Sequence, residues 1–288
     1  MRNVKFARFA WVTLAYTVAV VLWGTIVRAT GSGAGCGESW PLCNGRLVFG
    51  TPALAKLIEL AHRSSSGIDG ILIAIMAIWA FRIFPKRHPA SLGATISLTL
   101  LVVEALLGAA LVKFGLVVND PSPAHAIVLS IHLANTLALL AAITLTAWWG
   151  GGNPRIRLDT RAWASLGGVL ILGVTGALSA LADTLYPSQS LEAGLAQDWS
   201  AGASGLVRLR ALHPFLALAV GFWVVYYASS RKGKGRVTAL AVMALVGTQI
   251  AAGVVNLALL APLGMQVLHL LLADLLWIGL VVMCESQD

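Results

Sequence analysis

Eight long apolar stretches constrain this chain more than any other feature of its sequence. They run roughly over 9–28, 53–81, 92–114, 124–149, 162–182, 205–229, 236–259 and 263–284. Each is near the ~20 residues that carry an α-helix across ~30 Å of hydrocarbon. A helix satisfies its backbone N–H and C=O groups internally, as lipid demands. With 58% hydrophobic and only 11% charged residues, and a mean hydropathy of +0.83, the expected class is an all-α membrane protein with eight transmembrane helices. The first stretch follows the basic segment MRNVKFAR and shows no small-residue cleavage site, so it reads as a retained helix.

The formal net charge of +8 does not imply nucleic acid, because the basic residues form no soluble patch. Thirteen of the 20 Lys and Arg residues fall in four clusters: Arg2, Lys5 and Arg8; Arg82, Lys86 and Arg87; Arg155, Arg157 and Arg161; and Arg231, Lys232, Lys234 and Arg236. These lie at alternate ends of the expected helices, the positive-inside pattern, and predict cytoplasmic termini in a bacterial plasma membrane. Segments 29–52, 115–123, 183–204 and the turn near Pro262 then face outward. Cys36 and Cys43 fall in the first outer loop, where an oxidising compartment permits a disulfide. Their C-x6-C spacing is compatible with one, although spacing does not fix the geometry. Cys284, at the inner end of the last helix, is expected to be an unpaired thiol.

Four histidines lie inside these apolar stretches, in two matched pairs: His62 with His132, and His213 with His269. Intramembrane ionisable residues are costly and default to a functional reading. Superposing the first four stretches on the last four brings Glu59-Leu60-Ala61-His62 onto Arg210-Ala211-Leu212-His213, and Ile131-His132-Leu133 onto Leu268-His269-Leu270. Glu104, four residues before Gly108, meets Gln249, four before Gly253. An even number of crossings per half makes the repeat parallel, giving two pseudo-symmetric four-helix bundles over 1–150 and 151–288. All four histidines sit six to ten residues from the outer helix ends, roughly 9–15 Å deep.

Two histidines per half are too few for a zinc or copper centre, which takes three or four close ligands. They are what six-coordinate haem iron accepts on its two faces, with the porphyrin in an apolar slot between helices. Small residues such as Ser64-Ser65-Ser66-Gly67 and Gly108-Ala109-Ala110 suit a flat ring, and equally suit plain helix packing. His88, in a basic turn, and His125, at an outer helix start, read as solvated or interfacial and are not proposed as ligands.

Glu59 breaks the symmetry. At i−3 from His62 it projects from nearly the same helix face, and its counterpart Arg210 cannot give up a proton near neutral pH. The two pockets are therefore expected to differ in task, the first having an acid able to exchange protons. The alternative is an ion pair of Glu59 with Arg63 or Lys56. Arg28, Arg46, Arg63, Arg208 and Arg210 gather on the outer side, where haem propionates or lipid headgroups would meet them. Asp69, Glu104 and Asp274 are further intramembrane acids without an assigned role.

The run GTIVRATGSGAGC over residues 24–36, then WPLCNGR over 40–46, resembles the first helix and outer loop of the haem A synthase family. The Glu59-x-x-His62-Arg63 stretch and the three further histidines resemble the same family, and the likeness spans essentially the whole chain. The resemblance implies oxidation of a ring methyl of haem O to formyl by successive hydroxylations. It places the substrate at His62 and His132, haem b at His213 and His269, and a catalytic acid at Glu59. Cys36 and Cys43 match the family's first cysteine pair; the second pair that some members carry is missing from 183–204. The implied partners are haem O, membrane lipid and an electron donor the sequence does not identify. Haem O synthase, oxidase assembly factors and a second copy of the chain stay open as partners. One rival is a diheme b-type, quinol-oxidising electron-transfer cytochrome; another is a proton-coupled transporter, which would carry no haem. Haem O synthase itself is disfavoured, because no pair of Asp-rich motifs is present to bind diphosphate-bound magnesium.

Overall fold

A computed structural model describes residues 2–40, 43, 53–117, 120–233 and 235–286. The chain divides into two compact units, Met1–Asn153 and Pro154–Asp288.

The first unit contains α1 (Val4–Ala29), α2 (Leu54–Ile83), α3 (Pro89–Lys113) and α4 (Pro123–Gly150). All four are long and apolar enough to cross a membrane. Each packs on two others, α1 on α2 and α4, and α3 on α2 and α4, so the bundle closes on itself. Helix α1 begins five residues before the apolar stretch does. The Asn3 side chain caps it, accepting from the Phe6 N–H at 3.0 Å. Pro89 and Pro123 open α3 and α4, where the missing N–H has no intrahelical partner to lose.

Small residues bring α3 against α4. Ala90, Ser91, Gly93, Ala94 and Ser97 are all buried, and a Cβ on Gly93 would stand 2.5 Å from the Thr146 hydroxyl. In lipid, such close approach supplies the packing that the hydrophobic effect supplies in water. At the end remote from the histidines, Phe6 meets Trp79 and Phe84 edge-on at centroid distances of 5.8 and 5.2 Å.

The second unit contains α5 (Thr160–Leu185), the short α6 (Leu191–Asp198), α7 (Gly205–Ser229), α8 (Gly235–Ala258) and α9 (Leu263–Glu285). Its four long helices also have spanning length and composition, and close a ring in the order α5, α7, α8, α9. The Trp223 indole donates to Ser165 at 3.1 Å, joining α7 to α5. Arg231 donates to the carbonyls of Met283 and Ser286, both at 2.9 Å, joining the end of α7 to that of α9. Cys284 is a buried free thiol, as its position implied.

Helix α6 was not expected. It lies in the segment read as an outer loop, capped by Ser190, which accepts from Ala193 N–H at 3.1 Å, with Glu192 in its first turn. That cap and acid were readable signals. Eight residues without spanning length hid them.

Candidate functional site

Each of the four paired histidines lies a similar number of residues from the start of its own helix. His62 comes eight residues after the start of α2, His132 nine after that of α4, His213 eight after that of α7 and His269 six after that of α9. At 1.5 Å per residue they lie roughly 9–14 Å inside their helices.

In the first unit, the His62 ring lies on Gly24 of α1. A Cβ there would come within 3.3 Å of its Cε1, so glycine leaves the space the ring uses. The Ser65 and Ser66 hydroxyls donate to the His62 carbonyl at 2.9 and 2.8 Å. The Nδ1 atoms of His62 and His132 are buried without a hydrogen-bond partner among the described residues. The acid nearest to one of them is Glu104, whose Oε1 stands 3.6 Å from His132 Nδ1. The Glu104 carboxyl is held from α4 by Asn135 Nδ2 at 2.6 Å and the Thr136 hydroxyl at 2.5 Å. Two turns along α2 from His62, buried Asp69 accepts from the Thr17 hydroxyl at 2.8 Å.

Glu59 is 3% exposed and doubly engaged. Its Oε1 meets Arg63 Nη2 at 2.5 Å, and its Oε2 accepts the Cys36 N–H at 2.7 Å. Arg63 also donates to the Ser39 carbonyl at 2.6 Å. Cys36 is disulfide-bonded to Cys43, with a Cα–Cα distance of 4.6 Å. Glu59 therefore forms the ion pair with Arg63, and its other oxygen ties the disulfide loop to α2.

In the second unit, Gly176 underlies His213 and Gly253 underlies His269; a Cβ on either would come 3.1 Å from the ring. The Thr175 hydroxyl lies 3.1 Å from His213 Nδ1, and Gln249 Nε2 lies 3.2 Å from His269 Nε2. His269 Nδ1 is buried without a hydrogen-bond partner among the described residues. Farther along α9, Asp274 is fully buried with neither oxygen hydrogen-bonded among the described residues.

Arg210, three residues before His213, is buried in a cluster of acceptors. It reaches Asp198 Oδ1 through Nε at 2.9 Å and Nη2 at 2.5 Å, Asp183 at 3.2 Å, Gln197 at 2.9 Å and the Tyr186 carbonyl at 3.2 Å. It thereby fastens α6 to α7. Arg63 and Arg210, expected at propionates or headgroups, thus give their guanidiniums to protein acids; Arg208 reaches the Ala201 carbonyl at 3.3 Å. Arg46 lies outside the described residues.

His125 is 6% exposed, against the solvated or interfacial reading. Its Nδ1 lies 2.9 Å from the Asp120 carbonyl, because the Ser122 cap folds that segment back over the helix start. His88 stacks on Phe84 at 4.3 Å and accepts the Ala90 N–H at the start of α3.

Each unit thus offers two half-buried imidazoles, at least one ring nitrogen without a hydrogen bond among the described residues, and glycine-cleared space beside a ring. Among the described residues, no group of three or more His, Cys, Asp or Glu could hold a metal ion. The donor set fits a metal that brings its own equatorial ligands, as haem iron does. Sequence reasoning missed Thr175, Asn135 and Thr136. The last two sit three and four residues after His132, a spacing that places them on its side of the helix.

Two relatives, each named protoheme IX farnesyltransferase, come from two strains of Thermus thermophilus. Both are 42% identical over 293 residues, covering 98% of this chain and 48% of their own length. A protein named heme A synthase from Geobacillus kaustophilus is 41% identical over 144 residues, half of this chain and 42% of its own. The chain therefore spans about half the length, or less, of these curated relatives. Residues 7–281 match the COX15-CtaA family, and on that match the chain belongs to this family of cytochrome oxidase assembly proteins.

Proposed function

We propose that this chain is a haem A synthase, an oxidoreductase of the monooxygenase type that oxidises a ring methyl of haem O to formyl through successive hydroxylations. The observation that carries the reading is the pair of half-buried histidines in each of two four-helix units, His62 with His132 and His213 with His269. The relatives named heme A synthase support a role in haem A synthesis. In this reading residues 1–150 take haem O and residues 151–288 hold haem b. The parallel repeat is supported by a glycine under the first histidine of each unit, Gly24 and Gly176.

Haem iron, when bound, supplies the redox chemistry. The protein's residues supply the rest. His62 and His132 would orient haem O, and His213 and His269 would hold haem b. Glu59 places a carboxylate one helical turn from His62, where it can hold or pass a proton. It also keeps the Cys36–Cys43 loop on α2 through the Cys36 amide. The clusters of Lys and Arg support cytoplasmic termini in a bacterial plasma membrane.

The Thermus relatives' name favours a second reading, prenyl transfer. We assign that activity to the part of those proteins this chain does not match, because the chain lacks paired Asp-rich motifs. The test is to purify the protein from cells that make haem O, extract its haems in acid–acetone and separate them with mass detection. Haem b with haem O and some haem A is expected. Haem b alone, at two per chain, would replace the proposal with a diheme cytochrome, and no haem would refute both. Conversion of protohaem and farnesyl diphosphate to haem O by the purified chain would establish the prenyl-transfer reading.

A further inference from the structure

In the two units, the second histidine of each pair has a polar neighbour on the helix before it. In the second unit it is Gln249, a neutral amide 3.2 Å from His269. In the first it is Glu104, 3.6 Å from His132. Both neighbours stand four residues before a glycine, Gly108 or Gly253. The two positions differ in two respects: a carboxyl group stands in place of a carboxamide, and it faces Nδ1 of His132 whereas Gln249 faces Nε2 of His269.

Glu104 is not free to swing away. Asn135 donates to one of its oxygens and Thr136 to the other, at 2.6 and 2.5 Å, and Asn135 also donates to the Leu100 carbonyl at 2.9 Å. Asn135 and Thr136 are themselves buried and lie one turn beyond His132 on α4. Ring and carboxyl are thus fixed to one helix. The His132 Nδ1 is a buried atom without a hydrogen bond among the described residues, and a small ring rotation would bring it to Glu104.

We infer that Glu104 is a positioning residue that backs His132 from its Nδ1 side, directing its Nε2 to haem iron and making it a stronger electron donor than His269, which has no acid behind its Nδ1 among the described residues. The inference rests on the haem reading proposed above. A carboxylate behind a ligating imidazole fixes the tautomer, turns the ring and raises the ligand's basicity. A more basic axial ligand favours the higher oxidation state of iron and lowers its reduction potential. The first unit, where a methyl group is to be oxidised, would gain from this; the second, which only passes electrons, would not. Glu104 could instead serve only as a staple between α3 and α4. The side-chain carbonyl in Glu104→Gln could still accept from Asn135 or Thr136, so this conservative change separates the two roles.

The test uses the full chain loaded with iron protoporphyrin IX and titrated spectroelectrochemically. A His269→Ala background assigns the potentials to the two units. Glu104→Gln is expected to shift the first unit's midpoint potential upward and leave the second's in place. Glu104→Asp, which keeps the charge but stops one methylene short of the ring, is expected to shift the first unit's potential upward as well, and it decides the matter alone if Glu104→Gln loses its haem or fails to fold. Unmoved potentials in a fully loaded Glu104→Gln protein, or in Glu104→Asp where that protein does not load, would overturn the inference while leaving haem A formation intact. The expected shifts in a protein that forms no haem A would keep the inference and overturn the function. A wild-type chain that takes up no haem would overturn both.

Discussion

Removing Arg210 should release α6 without unfolding the second unit. In Arg210→Met the side-chain bulk stays and the guanidinium goes. Asp198, whose side chain is 8% exposed, then loses the two N–H groups that Arg210 gives its Oδ1. Leaving one partner of a buried pair uncompensated costs about 3–5 kcal/mol. Asp183, at 31% exposure, is screened by solvent and adds little. Gln197 and the Tyr186 carbonyl lose one bond each, about 1 kcal/mol apiece, part of which water restores. Because α6 packs on α7, the loss should appear as local opening. Even 3 kcal/mol raises the open population more than about 100-fold. Limited proteolysis between residues 183 and 204 reads that population directly. Adding Asp198→Asn should recover much of the loss, since it removes the stranded charge. Cleavage of Arg210→Met within about twofold of wild type would refute the reasoning, because it would mean that α6 is held by something other than this cluster.

Three further expectations follow from local geometry. Gly253→Ala and Gly176→Ala each put a methyl 3.1 Å from a histidine ring and should lower haem retention in that unit, whereas Gly108→Ala, with nothing within 4 Å, should raise helix stability by up to about 1 kcal/mol; haem content and thermal melting distinguish the two signs. Replacing both Cys36 and Cys43 by Ser opens a loop of sequence separation 7, worth about 2.5 kcal/mol in the chain-entropy account, and should lower the first unit's melting temperature as reductant does for the wild type. Leu260 has φ of +59°, a left-handed conformation that costs a side-chain-bearing residue roughly 1–2 kcal/mol, so Leu260→Gly should raise the second unit's melting temperature; a fall would show that its exposed side chain contributes more than the strain removes.

The eight long helices were legible because lipid permits so little else: an apolar run of spanning length has no alternative to a helix. Their ends shifted by a few residues, since caps such as Asn3 and Asp159 extend helices into polar sequence. The depth of each histidine within its helix was legible from position alone. What surrounds them was less so. The Glu59–Arg63 pair is an i,i+4 contact, which sequence spacing allows, but the Cys36 amide that shares the carboxylate comes from 23 residues away. Glu104 had no readable role because its partners, Asn135 and Thr136, lie 31 and 32 residues on and only packing brings α3 to α4. Arg210 failed for the same reason: its acceptors come from the end of α5, from α6 and from the chain between them.

The residue three places before the leading histidine of each unit fastens an extramembrane segment, and it does so with opposite charge: Glu59 grips a backbone amide, Arg210 grips carboxylates. Each cap is thus keyed to its own helix. A chimera that transplants residues 30–43 onto the second unit, or 183–204 onto the first, would bring an incompatible key. Arg210 would face an amide hydrogen and Glu59 would face Asp198. Modular exchange between the halves therefore requires moving the fastening side chain together with the cap.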